Sequence, residues 1–243
     1  MIRQIFLTAC LTGLLAGLAL TVIQSVKVIP LILAAEQYED GKIITYSSHG
    51  QPIKQQETIN KKNSHDQGHT HDEEAWGPAD GFERLFYTFV ANVFLATGWA
   101  FVLCAVYMYL NGLSIIKGII AGVIGYLTFF ALPSIGLSPE LPGTLASALE
   151  HRQAWWMGTV FCSAVGFALL FFNKNRTYQL GAVGIILLPH IIGAPVPDVH
   201  AGSAPLEMFK EYVQATFISN GIFWMILGAI SITLFQRFRP QQV

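Results

Sequence analysis

The sequence has 243 residues, a net charge of −1 at pH 7, 12% charged residues and 53% hydrophobic residues. A mean hydropathy of +0.48 is too high for an ordinary soluble domain and indicates a membrane protein. The sequence contains no basic patch with interleaved aromatic residues, which argues against nucleic-acid binding, and its three cysteines all lie inside apolar runs, which argues against a disulfide framework.

Six apolar runs predict membrane-spanning helices. Such a helix needs about 20 predominantly apolar residues, because each residue rises about 1.5 Å and the hydrocarbon core is about 30 Å thick. The predicted helices cover residues 5–33, 86–110, 115–137, 155–172, 178–192 and 213–235, and the fifth is the shortest. The sequence therefore predicts an all-α polytopic membrane protein with about six transmembrane helices, and Pro30 should kink the outer end of the first.

Charges are segregated along the chain, and this predicts the orientation of the helices. All fifteen Asp and Glu residues fall within residues 36–83, 140–150 or 198–211. Basic residues without acidic neighbours occupy the ends predicted to lie on the opposite side: Arg3, Lys117, Lys174, Arg176, Arg237 and Arg239. By the positive-inside rule that side is cytoplasmic, with both termini on it, and all seven histidines lie on the outer side or at its edge.

The predicted organisation has three parts. Residues 1–35 form the first transmembrane helix, residues 36–82 form a His- and acid-rich periplasmic loop that is partly disordered, and residues 83–243 form a five-helix membrane bundle. Within the loop, His65, His69 and His71 precede a run of acidic residues. We expect this tract to bind metal ions loosely and to raise their local concentration, the alternative being a solvated spacer.

A candidate metal site is predicted where the fifth apolar run ends in Pro189-His190. An ionisable residue so close to the hydrocarbon is costly and is by default a functional hypothesis. The alternative is a histidine that only hydrogen-bonds a backbone carbonyl at a helix end. Imidazole and carboxylate ligands suit Co, Ni or Zn, and further candidates on the same side are His151, Asp198, His200, Glu36, Glu39 and Glu140.

Each of these further candidates also has a simpler role. Glu36 and Glu39 lie three residues apart, so they share a helix face if the first helix continues, but both could be solvated charges. His151 follows Glu150 at the start of the fourth helix, where capping and anchoring at the interface compete with metal binding. Asp198 and His200 lie in a proline-containing loop, where either could complete a site begun by His190 or remain solvated.

The sequence lacks the motifs of two common enzyme classes, which narrows the range of possible functions. The sequence has no G-x-x-x-x-G-K-[ST] phosphate-binding loop and no H-E-x-x-H zinc-protease motif. Apart from Lys117 in the first turn of the third, the only charged residue within the predicted helices is Lys27, so a buried proton relay is hard to assemble. A cation that crosses the membrane would have to be coordinated by hydroxyl and amide side chains, by backbone carbonyls or by a partner subunit.

Several segments together resemble the CbtA family of predicted cobalt transporter subunits. They are IRQIFLTACLTGLLAGL, PLILAAEQYE, the His-rich loop, ELPG followed by RQAWW, and LLPHIIGAP with the proline-containing loop after it. The resemblance covers nearly the whole chain in order. It implies a multi-pass protein of the bacterial inner membrane that imports cobalt for cobalamin synthesis, together with CbtB, a small His-containing membrane subunit.

Taken together, these features predict a cobalt transporter subunit that is not an enzyme. Co²⁺ would be the transported ion, with no permanently bound cofactor. Two other classes remain open at this stage. A membrane metalloenzyme would use three fixed ligands and an open coordination position, and a scaffold subunit would present the metal to a separate channel.

Overall fold

The computed structural model describes residues 2–39, 77–197 and 202–239, and these residues form helices joined by short loops. The helices, in chain order, are α1 (Ile2–Val26), α2 (Val28–Glu39), α3 (Phe82–Tyr109), α4 (Ile115–Tyr126), a π-helical turn (Leu127–Ala131), α5 (Leu132–Gly136), α6 (Leu149–Phe172), α7 (Arg176–Ile192) and α8 (Leu206–Arg237). The all-α prediction is therefore confirmed over the described part of the chain.

Five helical segments are long and apolar enough to cross a membrane, compared with the six predicted from the sequence. They are Ile2–Val26, Phe82–Tyr109, Ile115–Gly136, Leu149–Phe172 and Leu206–Arg237. The fifth predicted span is also a helix, α7, but its 17 residues cover only about 25 Å at the usual rise per residue. A sixth crossing, the side on which the termini lie and the structure of the His-rich loop stay predictions.

The first predicted span is divided near the proline, as the sequence predicted. Pro30 has no backbone N–H to donate to Val26, four residues earlier, and its ring crowds that carbonyl. Accordingly α1 ends at Val26, Lys27 forms a turn, and α2 begins at Val28. The backbone N–H of Leu31 donates to the Lys27 carbonyl at 3.4 Å, which carries the chain into α2.

Close contacts at glycine hold α1 against α3. The pair Gly13 and Gly17 forms a small-x-x-x-small motif, which lets transmembrane helices approach closely. A Cβ atom at Gly17 would lie 2.6 Å from the Cα of Val93, and one at Gly13 would meet the side chain of Thr97. These two positions therefore require glycine for the observed distance between α1 and α3.

The same motif joins α4 to α8. Gly118 and Gly122 face Gly228 and the backbone of Trp224, again with no room for a Cβ atom. Besides these pairs, α1 also packs on α8, whereas α6 packs mainly on α7 and reaches the other helices through α5 and the π-helical turn. The bundle therefore consists of a core of α1, α3, α4 and α8 with the α6–α7 hairpin on its side.

Side chains at one end of the bundle tie α1, α4 and α8 together. Gln4 donates to the carbonyl of Phe235 at 2.8 Å, and Gln236 donates to the carbonyl of Leu113 at 2.8 Å. The start of α1, the α3–α4 loop and the end of α8 therefore meet. This is the end that carries the basic residues of the topology prediction, and Lys117 donates there to the carbonyl of Asn111.

Candidate metal site at one end of the bundle

The loops that follow α5 and α7 meet at the end opposite to the basic one. Thr144 and Gly202 form an isolated antiparallel bridge. Ser203 donates its backbone N–H to the carbonyl of Gly143 at 3.3 Å, and the Ser147 hydroxyl donates to the carbonyl of Pro195 at 3.2 Å. These contacts bring the end of α7 and the start of α6 together at this end of the bundle, which we call the mouth of the bundle.

His190 lies in the last turn of α7 and is partly buried. Its Nε2 atom is buried and has no hydrogen-bond partner among the described residues. A neutral imidazole with one nitrogen left unpaired can accept a metal ion through that lone pair, and a buried polar atom without a partner is otherwise costly. The alternative role of bonding a backbone carbonyl through Nε2 is not seen here.

The backbone around His190 is fixed by the residues that follow it. Gly193 ends α7 with a φ of 92°, a conformation that favours glycine, and its N–H donates to the carbonyl of Pro189 at 3.0 Å. Pro195 and Pro197 then prevent further helix in this loop. The local sequence therefore determines where α7 ends and so fixes the backbone position of His190.

Trp155 of α6 packs directly against His190. The two rings lie edge to face with their centroids 5.7 Å apart, and the indole N–H donates to the carbonyl of Pro189 at 3.3 Å. The indole also covers Gly136 of α5, where a Cβ atom would collide with it. Trp155 therefore connects α5, α6 and α7 beside the imidazole, a contact between helices that no sequence pattern indicated.

Replacing Trp155 with phenylalanine should lower the free energy of unfolding by about 1 kcal/mol, the usual contribution of one hydrogen bond. The aromatic contact with His190 is kept, while the bond to Pro189 is lost. Denaturant unfolding of the purified protein in mild detergent measures the change. Trp156→Phe is the matched control, because only the Trp155 indole donates to the end of α7 among the described contacts. An equal loss of stability in Trp156→Phe would contradict the role given to the Trp155–Pro189 hydrogen bond.

Glu36 lies in an ion pair rather than free at the mouth. Arg84 of α3 donates through Nη1 to both of its carboxylate oxygens, at 2.8 and 3.1 Å, and through Nε contacts Asp80 at 3.1 Å. The guanidinium of Arg84 therefore competes with a metal ion for the carboxylate oxygens of Glu36. Glu39 is the last residue of the same helix, and its side chain lies outside the described part of the structure.

His151 and Glu140 also lie at this end, but the structure does not join them to His190. His151 is exposed in the first turn of α6. Glu140 accepts a hydrogen bond from Arg152 at 3.0 Å. The described residues contain no group of three His, Cys, Asp or Glu side chains positioned to hold a metal ion.

The remaining candidates fall outside residues 2–39, 77–197 and 202–239. They are Asp198, His200, His65, His69 and His71. In the sequence, Asp198 and His200 lie between the described residues Pro197 and Gly202. Their part in a metal site stays a prediction.

Comparison with known proteins identifies the family. The family model of CbtA, described as "probable cobalt transporter subunit", matches residues 2–236, nearly the whole chain. A comparison with curated proteins and one with solved structures each gave no match. The match extends across every helix of the bundle, α1 to α8, and agrees with its five long apolar helices. The chain is therefore a multi-pass membrane protein that belongs to the CbtA family of probable cobalt transporter subunits.

Proposed function

We propose that this chain is the subunit of a bacterial inner-membrane cobalt importer that receives the ion, and that His190 is its first ligand at the membrane edge. The observation that carries the proposal is the buried Nε2 atom of His190, which has no partner in the described part of the chain. An unpaired imidazole nitrogen binds Co²⁺ well, and one fixed ligand leaves the ion free to be released.

The remaining ligands would come from the segment that follows α7. Asp198 and His200 offer a carboxylate and a second imidazole close to His190 in sequence. The histidines of the preceding loop, His65, His69 and His71, would gather ions without holding them tightly. Uptake would serve cobalamin synthesis, and a small His-containing membrane subunit of the CbtB type would complete the transporter.

Two other functions make different demands on the same site. A metalloenzyme needs three rigid ligands and an open position, so a stoichiometric metal that resists dialysis would favour it. A scaffold subunit, which the word "subunit" in the family description allows, needs only to present metal to a partner. In that case transport would disappear when the partner is removed but would survive substitution of the ligands.

The proposal predicts saturable cobalt entry into liposomes that contain the purified chain and the small partner subunit. Entry of radioactive cobalt should exceed that of nickel and zinc, and an external chelator should abolish it. Liposomes with the chain alone, the partner alone and no protein serve as controls. Absence of entry with both folded proteins present would contradict the transporter proposal.

A further inference from the structure

A groove of about 730 Å³ opens between α5 and α6 on the side of the bundle. We call it the α5–α6 groove. Its α6 wall consists of one helix face, with residues at positions i, i+3, i+4, i+7 and i+8: Leu149, Arg152, Gln153, Trp156 and Met157. Its opposite wall comes from the π-helical turn, α5 and the loop after it. The volume lies in the range of sites that hold one small ligand.

The deep wall of the groove is held rigidly. Phe129 packs against both Trp99 and Trp224, with ring centroids 4.3 and 6.1 Å away, and the two tryptophan rings also contact each other at 5.1 Å. Phe130 packs on Tyr126 and Phe217, at 5.7 and 5.2 Å. Because α3, α4 and α8 fix these rings from behind, the apolar wall cannot easily collapse into the space, and the groove is preformed.

The π-helical turn explains why the space exists. Pro133 has no N–H for the carbonyl four residues earlier, so a regular α-helix cannot continue through this point. The Leu132 N–H donates instead to Leu127, five residues earlier, which widens the helix. The π-helical turn that ends α4 thus places Phe129, Phe130 and Pro133 along one wall of the groove.

The mouth of the groove carries one negative and one positive side chain. Glu140 and Arg152 lie 3.0 Å apart, and about a third of each side chain is exposed. Trp156 lies one helical turn deeper than Arg152, and tryptophan prefers the level of the lipid headgroups. In the topology predicted from the charges, the aromatic and aliphatic part of the groove lies toward the acyl chains, and the two opposite charges lie toward the headgroups.

We propose that the α5–α6 groove binds one phospholipid with an amine-bearing zwitterionic headgroup, of the phosphoethanolamine type. The phosphate of the lipid would lie at the Arg152 guanidinium and its ammonium at the Glu140 carboxylate, so that four alternating charges surround the mouth. One acyl chain would lie against Phe129, Trp156 and Met157. This binding does not depend on the transported ion.

The test uses phospholipids whose brominated acyl chains quench tryptophan fluorescence, with ethanolamine, choline or glycerol headgroups. The full chain is reconstituted with mixtures of brominated and ordinary lipid, and quenching at a fixed fraction measures relative binding. We expect the ethanolamine lipid to bind about threefold more strongly than the other two, as one partly exposed charged contact allows. Choline cannot donate a hydrogen bond to Glu140, and the glycerol headgroup has no ammonium.

Variants separate lipid binding from a purely structural ion pair. Glu140→Gln keeps a hydrogen-bond acceptor for Arg152 but should shift the preference toward the anionic glycerol lipid. Trp156→Phe should remove most of the selective quenching, whereas Trp99→Phe, which keeps an aromatic ring behind Phe129, should not. A double Glu207→Gln, Lys210→Gln variant removes a comparable ion pair at the start of α8 and should change nothing. Equal quenching by all three lipids, or an unchanged preference in Glu140→Gln, would overturn the proposal.

Discussion

Replacing His190 with alanine should reduce saturable cobalt entry into proteoliposomes by at least about tenfold, since even substitution of residues that only support a metal ligand usually costs that much. The expected loss follows from the geometry of the imidazole. Its Nε2 atom is buried but makes no hydrogen bond within the described part of the chain. Removal of the ring therefore takes away a ligand without breaking a hydrogen bond of Nε2.

A second substitution separates ligand loss from loss of packing. His190→Phe keeps an aromatic ring that can lie edge to face with Trp155, as the imidazole does. It cannot bind a metal ion through a ring nitrogen. If the site works as proposed, the phenylalanine variant fails to transport like the alanine variant, while its thermal unfolding stays close to that of the unsubstituted protein.

The matched control is His151→Ala. It removes the same kind of side chain at the same end of the bundle, but His151 is exposed, whereas the Nε2 atom of His190 is buried. The rate of cobalt entry in His151→Ala should change by less than about twofold, because substitutions at exposed positions usually have small effects. Normal entry after joint replacement of His190 and Asp198 would contradict the metal-ligand assignment altogether.

Helix positions could be predicted from the sequence because they depend on local properties. Each long apolar run became a helix, and the break beside Pro30 follows from the missing N–H of that residue alone. The shortness of α7 was also visible in its run of apolar residues. By contrast, the π-helical turn depends on how Phe129 and Phe130 pack against other helices, which a single run of residues does not specify.

The site was harder to predict, because its geometry joins residues far apart in the chain. Glu36 and Arg84 are 48 positions apart, with a loop between them, so the sequence suggested a free carboxylate where the structure has an ion pair. Trp155 contacts His190 only because α6 and α7 pack against each other. A position near the hydrocarbon was enough to single out His190, whereas its tryptophan neighbour had no comparable signal in the sequence.

The sequence also contains a signal for close helix packing. Gly13 with Gly17, and Gly118 with Gly122, have the spacing at which two transmembrane helices pack with their backbones in contact. Both pairs lie at such interfaces, α1 with α3 and α4 with α8. This spacing identifies the inward-facing sides of α1 and α4, which their nearly uniform apolar composition does not reveal.

The second large effect is expected from Gly122→Ala, which should lower the free energy of unfolding by about 3 kcal/mol. The added Cβ atom would collide with the backbone carbonyl of Trp224 and approach Gly228 to 3.3 Å. Backbone atoms of a packed helix cannot rotate away as a side chain can. The only relief is to move α4 away from α8, which also weakens the hydrogen bond from Tyr126 to the carbonyl of Phe217, now 3.1 Å long.

The direction of this effect distinguishes packing from helix propensity. Alanine is the better helix former by about 1 kcal/mol, so propensity alone predicts that Gly122→Ala stabilises the protein. Gly158→Ala tests that contribution by itself, because a Cβ atom at Gly158 of α6 meets nothing within 4 Å. Denaturant unfolding in mild detergent should give a large loss for Gly122→Ala and none for Gly158→Ala. The contact between α4 and α8 at Gly122 leaves no space for even one methyl group. If the two variants were equally stable, α4 and α8 could not be packed together through Gly122.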